Sequence, residues 1–303
     1  MAAPATGPRA RYALASSFLA AVSLGAALFT AAPAFAGGCT APVELIRLQA
    51  PLPKLLGAVR AQQKPLIIVA LGSSSTSGAG ATSRAHSYPA RLEKELRNAW
   101  PNNDVRVVNA GVGGQLARHM IARIDKDVLA RNPQLVIWQT GVNDAIKGVP
   151  IADFRAQLRV GMDRFRAAGV DVVLIDQQYY PRFKKVKDGP LYMAAIRDVG
   201  AQYGAPVLQR YRIMQHLLES AQFTTATLLS ADQFHLNDRS YDCLGHLLAQ
   251  SLRSAATAPT TPSIPAASVP TAVKAISPKA DEANAMPARP AAKMAISKDQ
   301  ANM

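Results

Sequence analysis

Cysteine is scarce in this sequence, which contains only Cys39 and Cys243. The two lack the close, paired spacing of a zinc site, and no cluster of calcium or zinc ligands is evident elsewhere in the sequence. In an exported chain two cysteines are compatible with a single disulfide, which would here close nearly the whole folded region. Two unrelated thiols are the alternative.

Acidic residues are few relative to basic ones: 20 Asp and Glu stand against 34 Lys and Arg, which gives a net charge of +14. Such a balance raises the question of a nucleic-acid partner. The sequence has no helix-turn-helix, zinc-finger or aromatic-basic RNA-binding pattern, and its basic residues are spread along the chain. We therefore expect no nucleic-acid partner and attribute the charge to affinity for anionic envelope polymers or membrane surfaces.

Nucleotide-binding motifs are also missing, although two glycine-rich turns suggest them. No Gly-Lys-Ser/Thr follows the segment 72–78, so it is not a phosphate-cradling loop. Gly111, Gly113 and Gly114 do not complete the dinucleotide fingerprint, because position 116 is Leu. Both nucleotide interpretations fail.

What the sequence does contain is an apolar run, 66–71, that ends abruptly in a glycine and a cluster of serines. A run without alternation is typical of a parallel strand buried on both faces. Ligands of open α/β sheets bind outside the carboxyl ends of the strands. A serine in that place can serve as a nucleophile if a base and an oxyanion hole converge on it.

The two ends of the chain differ from the middle. Residues 1–36 resemble an export signal, with a basic start, an apolar stretch and the small-x-small sequence Ala34-Phe35-Ala36 before a predicted cleavage after Ala36. We therefore expect a periplasmic or secreted protein with a lead-in at 37–64. An uncleaved anchor is the first alternative, and a lipoprotein acylated at Cys39 is the second. Residues 256–303, rich in Ala, Pro, Thr and Lys, are predicted to be a disordered tail.

Between the two ends, residues 65–255 alternate apolar runs with amphipathic segments. Strands are predicted at 66–71, 105–108, 135–138, 170–175 and 206–208, and helices at 88–100, 116–130, 151–168, 191–203 and 238–252. This alternation indicates βαβ units. We predict an α/β domain, a three-layer α/β/α sandwich with a five-stranded parallel sheet.

The predicted loops at the strand ends supply the groups that acyl transfer at a serine requires. Ser73, Ser74 or Ser75 is the candidate nucleophile. Gly114 can offer a backbone N–H close to the substrate, because a residue without Cβ permits that approach. Asn143 can offer an amide, and His235 a base oriented by Asp232.

These residues resemble the SGNH (GDSL-type) hydrolases, a family of esterases and lipases with a flavodoxin-like fold. The four sequence blocks of that family occur here in order, as Gly72-Ser73-Ser74-Ser75-Thr76, Asn109-Ala110-Gly111-Val112-Gly113-Gly114, Gly141-Val142-Asn143-Asp144 and Asp232-Gln233-Phe234-His235. Each block alone is a weak signal. Four in order, each after a predicted strand or in the final loop, are specific.

The resemblance implies a role for individual residues. It places the nucleophile on Ser74, the oxyanion hole on the Ser74 N–H, Gly114 and Asn143, the base on His235 and its partner on Asp232. It also implies a mechanism without metal or cofactor. The chain departs from the family at Ser73, where an acidic residue is usual. That position supports the loop, so we expect catalysis to survive.

We therefore expect an exported serine esterase that acts on acetyl or short acyl esters of small molecules, envelope glycans or lipids. An acyltransferase that uses the same residues to acetylate envelope polysaccharide is one alternative. A non-catalytic, envelope-binding protein on the same scaffold is the other, motivated by Ser73 and the basic charge. The oligomeric state is left open.

A basic run, Arg182, Lys184, Lys185 and Lys187, follows the fourth predicted strand on the side of the expected site. Such a run is usually a solvated loop. The alternative is that Arg182, Lys184 and Lys185 attract an anionic substrate, such as an acidic polysaccharide or a phospholipid.

Overall fold

Five apolar segments form five parallel strands in the computed structural model, which describes residues 39–257. The strands are β1 (Leu66–Gly72), β2 (Val105–Gly111), β3 (Leu135–Gln139), β4 (Asp171–Ile175) and β5 (Val207–Leu208). Their order across the sheet is β2-β1-β3-β4-β5. Strand β1 therefore lies between β2 and β3, with Leu71 level with Ala110 and Trp138.

Helices cover both faces of this sheet. Within residues 39–257 they are α1 (Val43–Ile46), α2 (Pro53–Arg60), α3 (Ser74–Ser77), α4 (Tyr88–Ala99), α5 (Ala117–Ala122), α6 (Val142–Ile146), α7 (Ile151–Ala167), α8 (Gly189–Tyr203), α9 (Arg210–Glu219), α10 (Thr225–Leu228) and α11 (Asp238–Thr257). The three-layer α/β/α fold that the sequence predicts is confirmed.

Two apolar clusters hold the layers together, one on each face of the sheet. Alternate residues of β1 divide between them: Ile68 belongs to the cluster that includes residues of α1, α2, α4, α9 and α11, whereas Val69 belongs to the cluster that includes residues of α5, α7 and α8. Trp138 of β3 is fully buried in the second cluster. A Cβ on Gly161 would lie 2.4 Å from its ring, so the glycine lets α7 lie directly on Trp138.

The helix predicted over 116–130 is shorter in the structure. α5 ends at Ala122, and a π turn (Ile124–Val128) and a 3-10 turn (Leu129–Arg131) follow it. Arg123, at the break, turns inward: Nη2 donates to the Gly72 carbonyl over 3.1 Å, and Nε donates to Gln115 Oε1 over 2.7 Å. The helix stops where this side chain reaches the end of β1.

The segment before β1 packs on the sheet as part of the same body. Ile46 and Leu55 are buried in the first apolar cluster, and a disulfide joins Cys39 to Cys243 of α11. The predicted export signal and the predicted tail beyond residue 257 lie outside the described residues. No helix within residues 39–257 combines the length and the hydropathy needed to cross a membrane.

Candidate active site

Ser74 lies at the carboxyl edge of the sheet, in the first turn of α3 immediately after β1. Two glycines allow this tight junction. A Cβ on Gly72 would lie 2.0 Å from Thr76 Oγ1, and a Cβ on Gly111 of β2 would lie 2.2 Å from the backbone nitrogen of Ser77. Any larger residue would push α3 off the strand ends. The glycines thus fix the position of Ser74.

Three polar side chains form a line of hydrogen bonds at this edge. His235 Nε2 lies 2.8 Å from Ser74 Oγ, and His235 Nδ1 lies 2.6 Å from Asp232 Oδ2. The neighbouring serines are engaged elsewhere: the Ser73 hydroxyl donates to Gln139 over 3.2 Å, and the Ser75 hydroxyl donates to Gln178 over 3.4 Å. Of the three candidate serines, the structure therefore joins Ser74 to the histidine.

The loop that carries His235 is organised by Asp232. Its Oδ1 accepts the backbone N–H groups of Phe234 and His235, both at 2.9 Å, and the Ser230 hydroxyl at 2.7 Å. Burial raises the pKa of Asp232, but the hydrogen bonds from His235, Ser230 and Phe234 outweigh it and hold that pKa well below its usual range. Asp232 therefore stays ionised and keeps the imidazole oriented.

The sheet order places two further candidate groups on either side of Ser74. Gly114 is in the loop after β2, and Asn143 is in α6, directly after β3. Asn143 Nδ2 donates to the backbone carbonyl of Gln115 over 2.9 Å, which ties α6 to the Gly114 loop. Within residues 39–257 the backbone N–H groups of Ser74 and Gly114 have no acceptor. These donors remain available to a developing oxyanion.

A layer of buried polar side chains beneath Ser74 was missed by the sequence analysis. Gln139 Oε1 accepts the N–H of Ser73 at 3.1 Å, its hydroxyl at 3.2 Å and the Thr76 hydroxyl at 3.1 Å. Asp144, also buried, accepts the Ala117 N–H at the start of α5. A polar residue ending a buried apolar strand was the available signal for Gln139.

Arg210 is the most unusual member of this layer, because its side chain is buried with only 1% of its surface exposed. Nη2 donates to Gln178 Oε1 over 2.9 Å, and Nε donates to the Asp176 carbonyl over 3.1 Å. Burial raises the pKa of the Asp176 carboxyl to about 6, although the Tyr211 N–H and the Arg210 charge favour its ionised form. The guanidinium of Arg210 and the carboxyl of Asp176 are thus both buried beneath the strand ends.

The basic run lies at the same edge. Arg182, Lys184 and Lys185 belong to a 3-10 turn, Pro181–Lys185, and all three are exposed. Lys185, but neither Arg182 nor Lys184, lines a groove of about 380 Å³ beside α6. Lys187, which the sequence analysis noted only as part of the run, is the second cation of this groove.

A comparison with family models decides the classification. The model of the non-GDSL lipase-like family matches residues 38–258, which include every described residue. The chain belongs to the non-GDSL lipase-like family. This match and the similarity of the chain to esterases such as TesA confirm the SGNH/GDSL-type resemblance seen in the sequence, and the chain is an ester hydrolase.

Other proteins similar to this non-GDSL lipase-like chain are esterases. Esterase TesA of Pseudomonas aeruginosa is 28% identical over 49% of this chain and 69% of its own. An acetylxylan esterase of Geobacillus stearothermophilus is 31% identical over 29% of this chain and 39% of its own. A crystallised two-domain esterase active on acetylated mannans superposes with a TM-score of 0.58 at 19% identity, over 70% of this chain and 55% of that one, which supports the fold alone.

Proposed function

We propose that the protein is an exported serine esterase that removes acetyl or short acyl groups through Ser74, His235 and Asp232. The observation that supports this most is the continuous line from Asp232 Oδ2 through the imidazole to Ser74 Oγ, with contacts of 2.6 and 2.8 Å. A serine hydroxyl is a weak nucleophile, and an adjacent, oriented base is what activates it.

In this mechanism Ser74 Oγ attacks the ester carbonyl carbon while His235 Nε2 takes the hydroxyl proton. Asp232 holds the Nδ1–H tautomer and stabilises the imidazolium. The negatively charged carbonyl oxygen accepts hydrogen bonds from the N–H groups of Ser74 and Gly114 and from the side-chain amide of Asn143. His235 then protonates the leaving alcohol, and water, deprotonated by His235, hydrolyses the acyl-enzyme.

Export and the class of substrate are also part of the proposal. The Cys39–Cys243 disulfide supports export, because stable disulfides are typical of oxidising compartments. One of the similar proteins is an acetylxylan esterase, which supports an acetylated glycan as the substrate.

Hydrolysis of p-nitrophenyl esters of increasing chain length by the full chain and by Ser74→Ala tests this function. We expect turnover of the acetate ester by the wild type and a loss of about 10³-fold or more in the variant. A fluorophosphonate probe should label the wild type and leave Ser74→Ala unlabelled. Activity that persists in Ser74→Ala would move the nucleophile elsewhere, and a folded wild type without turnover or labelling would refute the esterase.

A further inference from the structure

The turn after β4 concentrates positive charge that no ion pair among residues 39–257 neutralises. Arg182, Lys184, Lys185 and Lys187 are all exposed, and Asp188 is the one carboxylate in the same run. None of the four takes part in an ion pair among residues 39–257, whereas seven other arginines of that range do. Clustered, unpaired cations create a positive potential that attracts an anionic partner.

Aromatic packing fixes this turn relative to His235. Phe183 is buried within the turn, with its ring 5.8 Å from that of Tyr180 and 4.9 Å from that of Tyr211. The Tyr180 ring lies 4.7 Å from Phe234, which in turn lies 4.7 Å from the His235 imidazole. The cations are therefore held on a packed support that continues to the proposed base.

The groove beside the turn brings two of these cations near the proposed oxyanion hole. Lys185 and Lys187 line it together with Ile146 and Pro150, and the carboxylate of Asp188 is the one acidic group among its lining residues. Ile146 is three residues after Asn143 in α6, a rise of about 4.5 Å along the helix. A chain that enters the groove thus lies within one helical turn of the residue proposed to bind the carbonyl oxygen.

We propose that this groove binds the glycan part of an acidic polysaccharide ester, with Lys185 and Lys187 contacting sugar carboxylates next to the acylated unit. The inference rests on the proposed esterase function and names its substrate class. The concave shape favours a glycan chain over a membrane, because the groove's volume of about 380 Å³ is that of a small-ligand site rather than of a flat surface.

Substrates that differ in charge test the inference. We would compare p-nitrophenyl acetate, acetylated xylo-oligosaccharides (neutral) and acetylated oligogalacturonides (one carboxylate per unit), at low and high salt. Lys185→Glu/Lys187→Glu is the test variant. Lys94→Glu/Lys126→Glu, two exposed lysines outside the groove and outside the ion pairs of residues 39–257, is the control with the same charge change.

The wild type should favour the acetylated oligogalacturonide over the xylo-oligosaccharide by about tenfold in kcat/KM. This preference should come from a lower KM, and it should decrease at high salt. The test variant should lose this preference and keep its kcat and its rate on p-nitrophenyl acetate. The control should retain the preference. Equal kcat/KM on both glycans in the wild type, or an equal loss in both variants, would overturn the inference.

Calorimetric binding of unacetylated oligogalacturonide separates the inference from the function on which it rests. The wild type could bind oligogalacturonide and yet have no esterase activity. If Lys185→Glu/Lys187→Glu abolished that binding, the result would refute the proposed function and support an acidic-glycan site. Sedimentation with phosphatidylglycerol vesicles that depends on the same lysines, without binding of oligogalacturonide, would assign the charge to a membrane and refute the glycan site.

Discussion

Gln139 Oε1 lies 3.1 Å from the backbone nitrogen of Ser73 and 3.2 Å from its hydroxyl oxygen. Ser73 occupies the position at which SGNH hydrolases usually carry an acidic residue. In this chain the turn before the proposed nucleophile is instead fixed by a glutamine from the adjacent strand β3. Although Ser73 replaces the usual acidic residue, its N–H and its hydroxyl thus both have a buried acceptor, Gln139 Oε1.

Gln139→Leu should lower both stability and turnover. It leaves the Ser73 N–H and the Ser73 hydroxyl without their acceptor and leaves the Thr76 hydroxyl with Tyr88 alone, at a cost of about 2–4 kcal/mol, and it frees the turn that positions Ser74. We expect kcat to fall at least about tenfold. Gln134→Leu is the matched control, because Gln134 accepts the Ile67 N–H at the opposite end of the strands. We expect a lower midpoint of denaturation and an unchanged kcat for this variant. Equal kcat values in the two variants would contradict this.

Asp232→Asn should reduce kcat by about 10³–10⁴-fold with little change in KM. The amide would donate to His235 Nδ1, which places the remaining proton on Nε2 and removes the acceptor for the Ser74 hydroxyl. Asp238→Asn provides the control. Asp238, six residues after Asp232, also pairs with a histidine Nδ1, that of His86, at 2.5 Å. We expect kcat to change less than about threefold there. Steady-state kinetics on p-nitrophenyl acetate measure both, and similar losses would exclude a special role for Asp232.

The sheet could be predicted from the sequence because each strand is an apolar run without alternation, as expected where both faces are buried. The end of α5 could not. Residues 116–130 keep an apolar stripe that favours one long helix, and the break at Arg123 results from a bond to Gly72, 51 residues earlier. A contact between distant residues leaves no mark in the local pattern that predicts helices.

Removal of the Cys39–Cys243 disulfide should lower stability and leave the site intact. The bond spans 204 residues, and closing a loop of that size restricts the unfolded chain by about 2–5 kcal/mol. Cys39→Ala/Cys243→Ala should therefore unfold at a lower temperature and keep its kcat at 25 °C. A reducing agent should lower the Tm of the wild type and not that of the variant. An unchanged wild-type Tm would show that the thiols are not paired in solution.

Asp176 should make the protein less stable as the pH rises from about 4 to about 6. Its pKa of about 6 in the folded protein exceeds that of an unfolded aspartate, so the folded state binds more protons across this interval. Ionisation of Asp176 thus lowers the free energy of unfolding by about 2–3 kcal/mol, and the full decrease is reached above pH 6. In Asp176→Asn this decline should be absent from urea titrations at several pH values. Asp153→Asn, an exposed site, should keep the wild-type slope.

The structure brings Ser74, His235 and Asp232 into one line, and the sequence could indicate these three residues because each belongs to a short block with its own spacing. The polar layer beneath it was not foreseen. Gln139, Gln178 and Arg210 come from β3, from the loop after β4 and from α9, and their contacts exist only once the sheet is assembled. In the sequence each is an ordinary polar residue beside an apolar run.

Gly114 offers the sharpest test of the proposed oxyanion hole, because Gly113 beside it is a natural control. A Cβ on either glycine would meet no atom within 4 Å, so neither substitution creates a clash. The two differ in backbone: Gly114 has a φ of +73°, whereas Gly113 is outside the positive-φ region. Alanine at Gly114 therefore costs about 1–2 kcal/mol in that conformation, and relief of the strain would reorient the N–H that we propose as an oxyanion donor.

We expect Gly114→Ala to lower kcat by about tenfold to a hundredfold, with KM nearly unchanged, because the lost donor acts on the transition state. Gly113→Ala should lie within about twofold of the wild type. Steady-state kinetics and thermal unfolding of both variants distinguish the effect on the site from the effect on the fold. Equal kcat values, together with a lower Tm for Gly114→Ala, would mean that Gly114 shapes the loop and donates nothing to the reaction.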